Sequence, residues 1–252
     1  MAAIKAKNEA VMLNPSFPFA FETIGNGPVD AEYDAQQRPE IGLLLKEDDL
    51  SKVAPDQFSR PSIHEALLLA YTAPTNDPAK AREIAEKALT IDAVCPAAYF
   101  VLGAVCAKDL AEAEQYFDKA ISVGNIGDYC PNFQTIFEEG HMWSHVHMRC
   151  YFRAVYGRFS IMRKKGNYES AIKLGQLLEL LEHRRPALSK CLINYRLYMP
   201  ELYLRLGKYV EAIQYIRNNP VEVDMRLSRG CGPFWSWCEL LVLFLLLGKE
   251  NK

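Results

Sequence analysis

The sequence predicts an all-α protein, a right-handed solenoid of about four to five antiparallel helical hairpins, with an irregular N-terminal arm. Three observations carry this. The stretch Lys164-Lys165-Gly166-Asn167-Tyr168-Glu169-Ser170-Ala171-Ile172 returns 41 residues later as Arg205-Leu206-Gly207-Lys208-Tyr209-Val210-Glu211-Ala212-Ile213, and Leu246-Leu247-Gly248-Lys249 begins a third copy. In each full copy a Gly closes one amphipathic helix, an aromatic fills the turn, and an Ala opens the next. A fixed period of roughly 34 to 47 residues with that grammar marks stacked helical hairpins. From Pro61 onward, apolar residues recur at three- and four-residue spacing. Half of the 252 residues are apolar, enough for a substantial core.

The first sixty residues read differently. Asn14-Pro15-Ser16-Phe17-Pro18-Phe19-Ala20-Phe21 alternates aromatics with prolines and favours an extended path. Gly25-Asn26-Gly27-Pro28 is a turn signal, and Ile41–Leu50 suits a short helix. Residues 1–60 are therefore expected to be an irregular acidic arm that orders by docking on the helical domain, residues 61–252.

Within that domain each helix has its own signal. Pro61 opens a helix whose body is Ala66 to Tyr71. Asp77 is a good N-cap with Pro78 at the first helical position. The helix that follows shows Ala81, Ile84, Ala85, Ala88 and Leu89 on one face and ends near Asp92. Ala97 to Ala107 is expected to be helical, with Tyr99, Leu102 and Gly103 inward. Leu110 to Val123 carries a stripe of Ala113, Phe117, Ala120 and Ile121. Gly124 to Gly140 interrupts the pattern, with a short helix over Asn132 to Glu139. One long helix is then predicted from Trp143 to Lys165, paired with Ala171–Leu181, followed by the pair Ser189–Leu206 and Val210–Arg217. Asn218-Asn219-Pro220 stops that pair. The last helix, Phe234–Leu247, has no polar face over Leu243–Leu247 and no visible partner. Its exposed end calls for cover by the N-terminal arm or by a second copy in a homodimer, or marks a truncated product.

Glu86-Lys87-Ala88-Leu89-Thr90-Ile91-Asp92 followed by Tyr99-Phe100-Val101-Leu102-Gly103 resembles the passage between helices of tetratricopeptide repeats. Small positions fall on Ala81, Ala88, Gly103, Ala113, Ala120, Ala171 and Ala212, and aromatic ones on Tyr99, Phe117, Tyr168 and Tyr209. Ala93 stands where that family usually has Pro, and the turn after Gly103 is about two residues short of the repeat. The longer run from Ala81 through Ala120-Ile121-Ser122-Val123-Gly124 and Gly140-His141-Met142-Trp143 to Phe234-Trp235 is similar to the suppressor-of-tumorigenicity-7-like repeat proteins, over residues 78–248. The resemblance implies a helical-repeat fold with a binding role and supplies no catalytic residues.

Charge is unevenly placed along the chain. Residues 1–140 hold 11 Lys/Arg against 22 Asp/Glu, whereas residues 141–217 hold 14 against 5. The basic part is expected to meet an acidic partner or the acidic part of the same chain. Arg149, Arg153, Arg163, Arg196 and Arg205 lie on helices assigned to the inner, concave row, interleaved with Tyr151, Tyr156, Tyr195 and Tyr198. Arginine with aromatics holds carboxylates bidentately and stacks planar groups. The candidate partner-binding residues are thus Arg149, Arg153, Tyr156, Arg163, Asn194, Arg196, Tyr198 and Arg205. Single-stranded nucleic acid is an alternative, opposed by the net charge of −2. The plainer alternative is core tyrosines with solvated arginines. Peptide-tail clamps in the resembling family need Lys and Asn at set positions; Asn194 alone fits, so a chaperone-tail binder is not indicated.

Reaction chemistry has little foothold. Cys130, His141, His145, His147 and Cys150 are the candidate zinc ligands, with His141 and His145 one helical turn apart, but the spacings match no established pattern and His145 and His147 fall on opposite faces of a helix. No Ser sits in a nucleophile elbow, and Cys191, Cys231 and Cys238 read as buried small apolars. No catalytic centre, cofactor or metal is expected. No apolar run reaches the roughly 18 to 20 residues that span a bilayer. The N-terminus lacks a secretory pattern, and seven cysteines without paired spacing suit reduced thiols in cytoplasm or nucleus. The acidic arm is expected to dock across or beside the basic groove and compete with the partner.

Overall fold

Two glycine elbows anchor the architecture of the computed structural model, which describes residues 50–125, 127–139, 142, 145–182 and 195–218. Gly166 and Gly207 take left-handed backbone, φ +75° and +70°. Around the first, the Asn167 N–H donates to the Met162 carbonyl at 2.9 Å and the Gly166 N–H to Arg163 at 3.1 Å. Around the second, Lys208 donates to Tyr203 at 2.9 Å and Gly207 to Leu204 at 3.0 Å. Both are the same six-to-one, five-to-two helix stop, which needs a residue that tolerates positive φ. Ala171 and Ala212 then receive equivalent roles, each donating to the residue four before it and each fully buried.

The described elements are helices and turns, with no strand among the described residues. The helices are α1 (Pro61–Ala70), α2 (Pro78–Ile91), α3 (Pro96–Val101), α4 (Leu110–Gly124), α5 (Phe133–Glu139), α6 (Arg149–Lys164), α7 (Tyr168–Glu182), α8 (Tyr195–Arg205) and α9 (Tyr209–Asn218). Asp77 caps α2 by accepting from the Lys80 N–H at 3.0 Å, and Asp109 caps α4 by accepting from Glu112 at 2.7 Å. The stripe expected on α2 is inward, with Ala81, Ala85 and Ala88 fully buried.

Several expectations need adjustment. The helix expected over Ala97–Ala107 is α3 followed by a π turn, Leu102–Cys106, all five residues of which are buried. The long helix expected from Trp143 begins at Arg149. His145 is extended (φ −92°, ψ 107°) and Val146–Met148 forms a 3₁₀ turn. The Tyr129 hydroxyl donates to the His147 carbonyl, so this turn is tied to the loop before α5. Val53 and Phe58 are buried core residues, so the packed body already includes them before Pro61. The expectations for residues 1–49, for Ser189–Asn194 and for the connector and last helix after Asn218 lie outside the described residues.

Packing follows chain order. α1 packs on α2, α2 on α3 and α3 on α4; α4 meets α6, and α6, α7, α8 and α9 follow in succession. Non-consecutive helices touch as well: α1 with α3, α3 with α6, α6 with α8. Close approach is possible because ring and glycine are matched. Phe117 on α4, fully buried, fits between Gly103 and Gly157; a Cβ added to those glycines would lie 2.9 Å and 2.6 Å from its ring. Burying such a ring stabilises by roughly 2–3 kcal/mol. Pro200 sits inside α8 and gives up one bond of the helical ladder. No described helix is long and apolar enough to cross a membrane.

Candidate partner-binding site

α6 and α8 present the predicted arginines in contrasting ways. Arg163, on the last turn of α6, lays its guanidinium over the Tyr198 ring of α8, 4.0 Å from the centroid. Its Nη1 is 3.6 Å from Glu201 Oε2, and Arg205 Nη2 is 3.4 Å from Glu201 Oε1. Arg205 also stands 5.9 Å from the Tyr168 ring centroid, at the start of α7. Tyr198, Glu201 and Arg205 follow three- and four-residue steps on α8, which puts them on one face. Glu201 is 8% exposed, so both guanidiniums converge on a nearly buried carboxylate.

The other predicted residues are spread more widely. Arg196 donates through Nε to the Tyr195 hydroxyl at 3.1 Å. Tyr195 itself is fully buried and meets Phe159 edge-on. Tyr156 is half-buried and stacked with Phe159, their rings 19° apart at 6.0 Å. Arg149 is half-buried. Arg153 is only 2% exposed and offers no open surface, because α6 turns it inward with Phe152 and Ala154. Tyr151 is buried too, edge-on to Phe133. Asn194 lies outside the described residues. The structure therefore gathers Arg163, Tyr198 and Arg205 into one cluster and leaves the predicted row otherwise discontinuous.

Sequence reasoning missed two members of that cluster, Glu201 and Tyr168. The signal was present: Glu201 and Arg205 stand four apart on a helix, a spacing that pairs charges. A charge count over the basic segment conceals the one acidic residue around which its arginines gather.

Arg60, Arg158 and Arg82 are matched to acceptors on neighbouring elements. Arg60 grips Asp92 bidentately at 2.6 and 2.7 Å, and Asp92 also accepts from Ser62 Oγ at 2.6 Å and the Val94 N–H at 2.9 Å. The Arg60 guanidinium chiefly holds the Asp92 carboxyl well below the usual carboxylate range. Arg158 on α6 binds Asp118 at 2.6 Å and also Glu114, both on α4. Lys165 reaches the same Glu114. Arg82 holds the Cys106 carbonyl at 2.8 Å and Glu112 at 3.3 Å.

The cysteine–histidine neighbourhood differs from the expected one. Of the candidate zinc ligands, Cys130 Sγ stands 3.6 Å from His147 Nε2. The ring of His145 lies 5.7 Å from that of His147, centroid to centroid. His141 lies outside the described residues, and no group of three or more metal-competent side chains forms among the described ones. Phe58 packs edge-on to His147 and Tyr129. Burial pushes the His147 imidazole down to about 4 and the Cys130 thiol above its ordinary value. The proton therefore stays on sulfur, and the pair has the wrong ordering for a thiolate–imidazolium nucleophile.

Compared with known proteins, the chain matches no family model, no curated protein and no solved structure.

Proposed function

We propose that this chain is a non-catalytic scaffold, a right-handed stack of tetratricopeptide-like hairpins that binds an acidic protein segment along α6 and α8. Support for the stack comes from two identical glycine elbows at the repeat interval and from contacts between non-consecutive helices. Support for binding rests on a single observation. Arg163, Tyr198 and Arg205 form a partly exposed cation–aromatic cluster around one carboxylate. Such a cluster can accept planar anions in a way that a surface lysine cannot. The Cys130–His147 pair supplies no thiolate–imidazolium nucleophile, because burial keeps both members neutral.

The test compares wild type with Arg163→Glu/Arg205→Glu as bait in a native lysate at several salt concentrations. A partner retained by wild type, lost from the variant and released progressively by salt supports the reading. The same proteins retained by both baits would overturn it.

A further inference from the structure

The interval between the glycine elbows holds for whole helices. α6 ends at Lys164 and α8 at Arg205, while α7 begins at Tyr168 and α9 at Tyr209; each pair of boundaries is 41 residues apart. One interval therefore carries the α6–α7 hairpin onto the α8–α9 hairpin. On the first hairpin, Ala171 and Ile172 of α7 belong to the main core. α8 lies over that hairpin: Met199 fits against Gly175 of α7, leaving no room for a Cβ, and Tyr195 meets Phe159 of α6 edge-on. The equivalent residues of α9, Ala212 and Ile213, are buried as core residues are but form a cluster of their own. Among the described residues, half-buried Tyr203, Leu204 and Tyr209 pack against them, and Val210 on the same helix is 53% exposed.

We propose that residues 234–247 of the same chain dock on this face, lying on α8 and α9 as α8 lies on α6 and α7. This rests on the stack proposed above and is independent of the acidic ligand. Gly248 stands one interval after Gly207, which gives the segment the place in the repeat that α8 holds one step earlier. Fifteen residues separate Asn218 from Phe234, against twelve between Glu182 and Tyr195, so the connection is long enough. Residue chemistry sets the register. Where α6 meets α8, Arg163 faces Glu201. One interval on, those positions read Leu204 and Val242, and the position of Arg205 reads Leu246. A charged contact is exchanged for an apolar one at the place where Leu204 sits beside Ala212 and Ile213. Burial of apolar area drives such docking without directional partners. The stretch Asn14–Phe21, broken by Pro15 and Pro18, offers no helical row of apolar residues for the same face.

Double-mutant cycles on the full chain test the docking, read as unfolding constants from denaturant titration. Leu204→Ala and Val242→Ala are expected to couple: together they should change the unfolding constant about tenfold less than their separate effects multiplied. Phe159→Leu with Tyr195→Leu, a contact between described helices, is the control cycle. An unfolding midpoint independent of protein concentration, with sedimentation as a monomer, assigns the Leu204–Val242 contact to one chain. Coupling accompanied by a midpoint that rises with concentration puts a second copy on the face and overturns the proposal. Coupling of Leu204→Ala to Phe17→Ala or Phe19→Ala in place of Val242→Ala gives the face to the N-terminal stretch and overturns it too. If Leu204 couples to none of these while the control pair couples, the docking fails and the stack stands. Additivity in both cycles would overturn both.

Discussion

Asp92 shows what a satisfied charge looks like in this protein. It receives Arg60 twice, Ser62 and a backbone N–H, and ties the segment before α1 to the end of α2. Asp92→Asn should lower unfolding stability by about 2 kcal/mol, because Arg60 and Ser62 then lose an ionised acceptor. Chemical denaturation at pH 7 checks this, and a change near zero would show the pair to be ornamental. His147 presents the opposite problem. It is 2% exposed, its Nδ1 has no hydrogen-bond partner, and the other ring nitrogen meets only a thiol. Its folded-state value near 4 lies below the ordinary 6.5, so the unfolded chain takes up the proton first. Stability from neutral His147 is therefore complete above about pH 6.5 and is lost as pH falls toward 4, by about 3 kcal/mol. The pH profile of wild type minus His147→Asn should show this slope in that window; parallel profiles would contradict it. Cys130 and His147 were both among the candidate zinc ligands, yet the sequence did not show that these two would meet. Their partnership depends on a loop folding back, which no spacing rule encodes.

The elbows were the legible part of the elements. Gly166 and Gly207 could be identified because a left-handed helix stop favours Gly so strongly that the residue recurs wherever the geometry does. Gly207→Ala should cost about 1–2 kcal/mol through its φ of +70° alone, since a Cβ there meets nothing within 4 Å. A thermal midpoint unchanged by this substitution would mean the elbow relaxes. Gly103 and Phe117 were read separately as a small and an aromatic repeat position, whereas Gly157, on the other side of the same ring, was not singled out. It lies within an otherwise ordinary helical run, Val155-Tyr156-Gly157-Arg158, and only the crossing of α4 against α6 explains it. Gly157→Ala should destabilise by about 1–3 kcal/mol because the added Cβ would sit 2.6 Å from the Phe117 ring. Measured denaturant midpoints for Gly157→Ala and Gly103→Ala test the slot; tolerance at both would show that the ring can move. The start of α6 was misread for a related reason. Helical spacing continues upstream of Arg149, but the bond from Tyr129 to the His147 carbonyl captures that turn for the loop.

Across the whole molecule, the charge separation along the chain translates only partly into a surface. Of the arginines on α6, Arg153 is buried, Arg158 is matched to acidic residues of α4, and the half-buried Arg149 and Arg163 stand at opposite ends of the helix. A net charge per segment therefore overstates the basic face, and Glu201 reduces it further. What remains is small and specific, a cation on an aromatic plate beside a shared carboxylate. The most direct test maps where an acidic ligand sits. Hydrogen–deuterium exchange of the full chain, with and without a poly-glutamate peptide, should show protection at the end of α6, the start of α7 and along α8. Protection confined to α1–α4, or an exchange pattern unchanged at saturating peptide, would contradict the account.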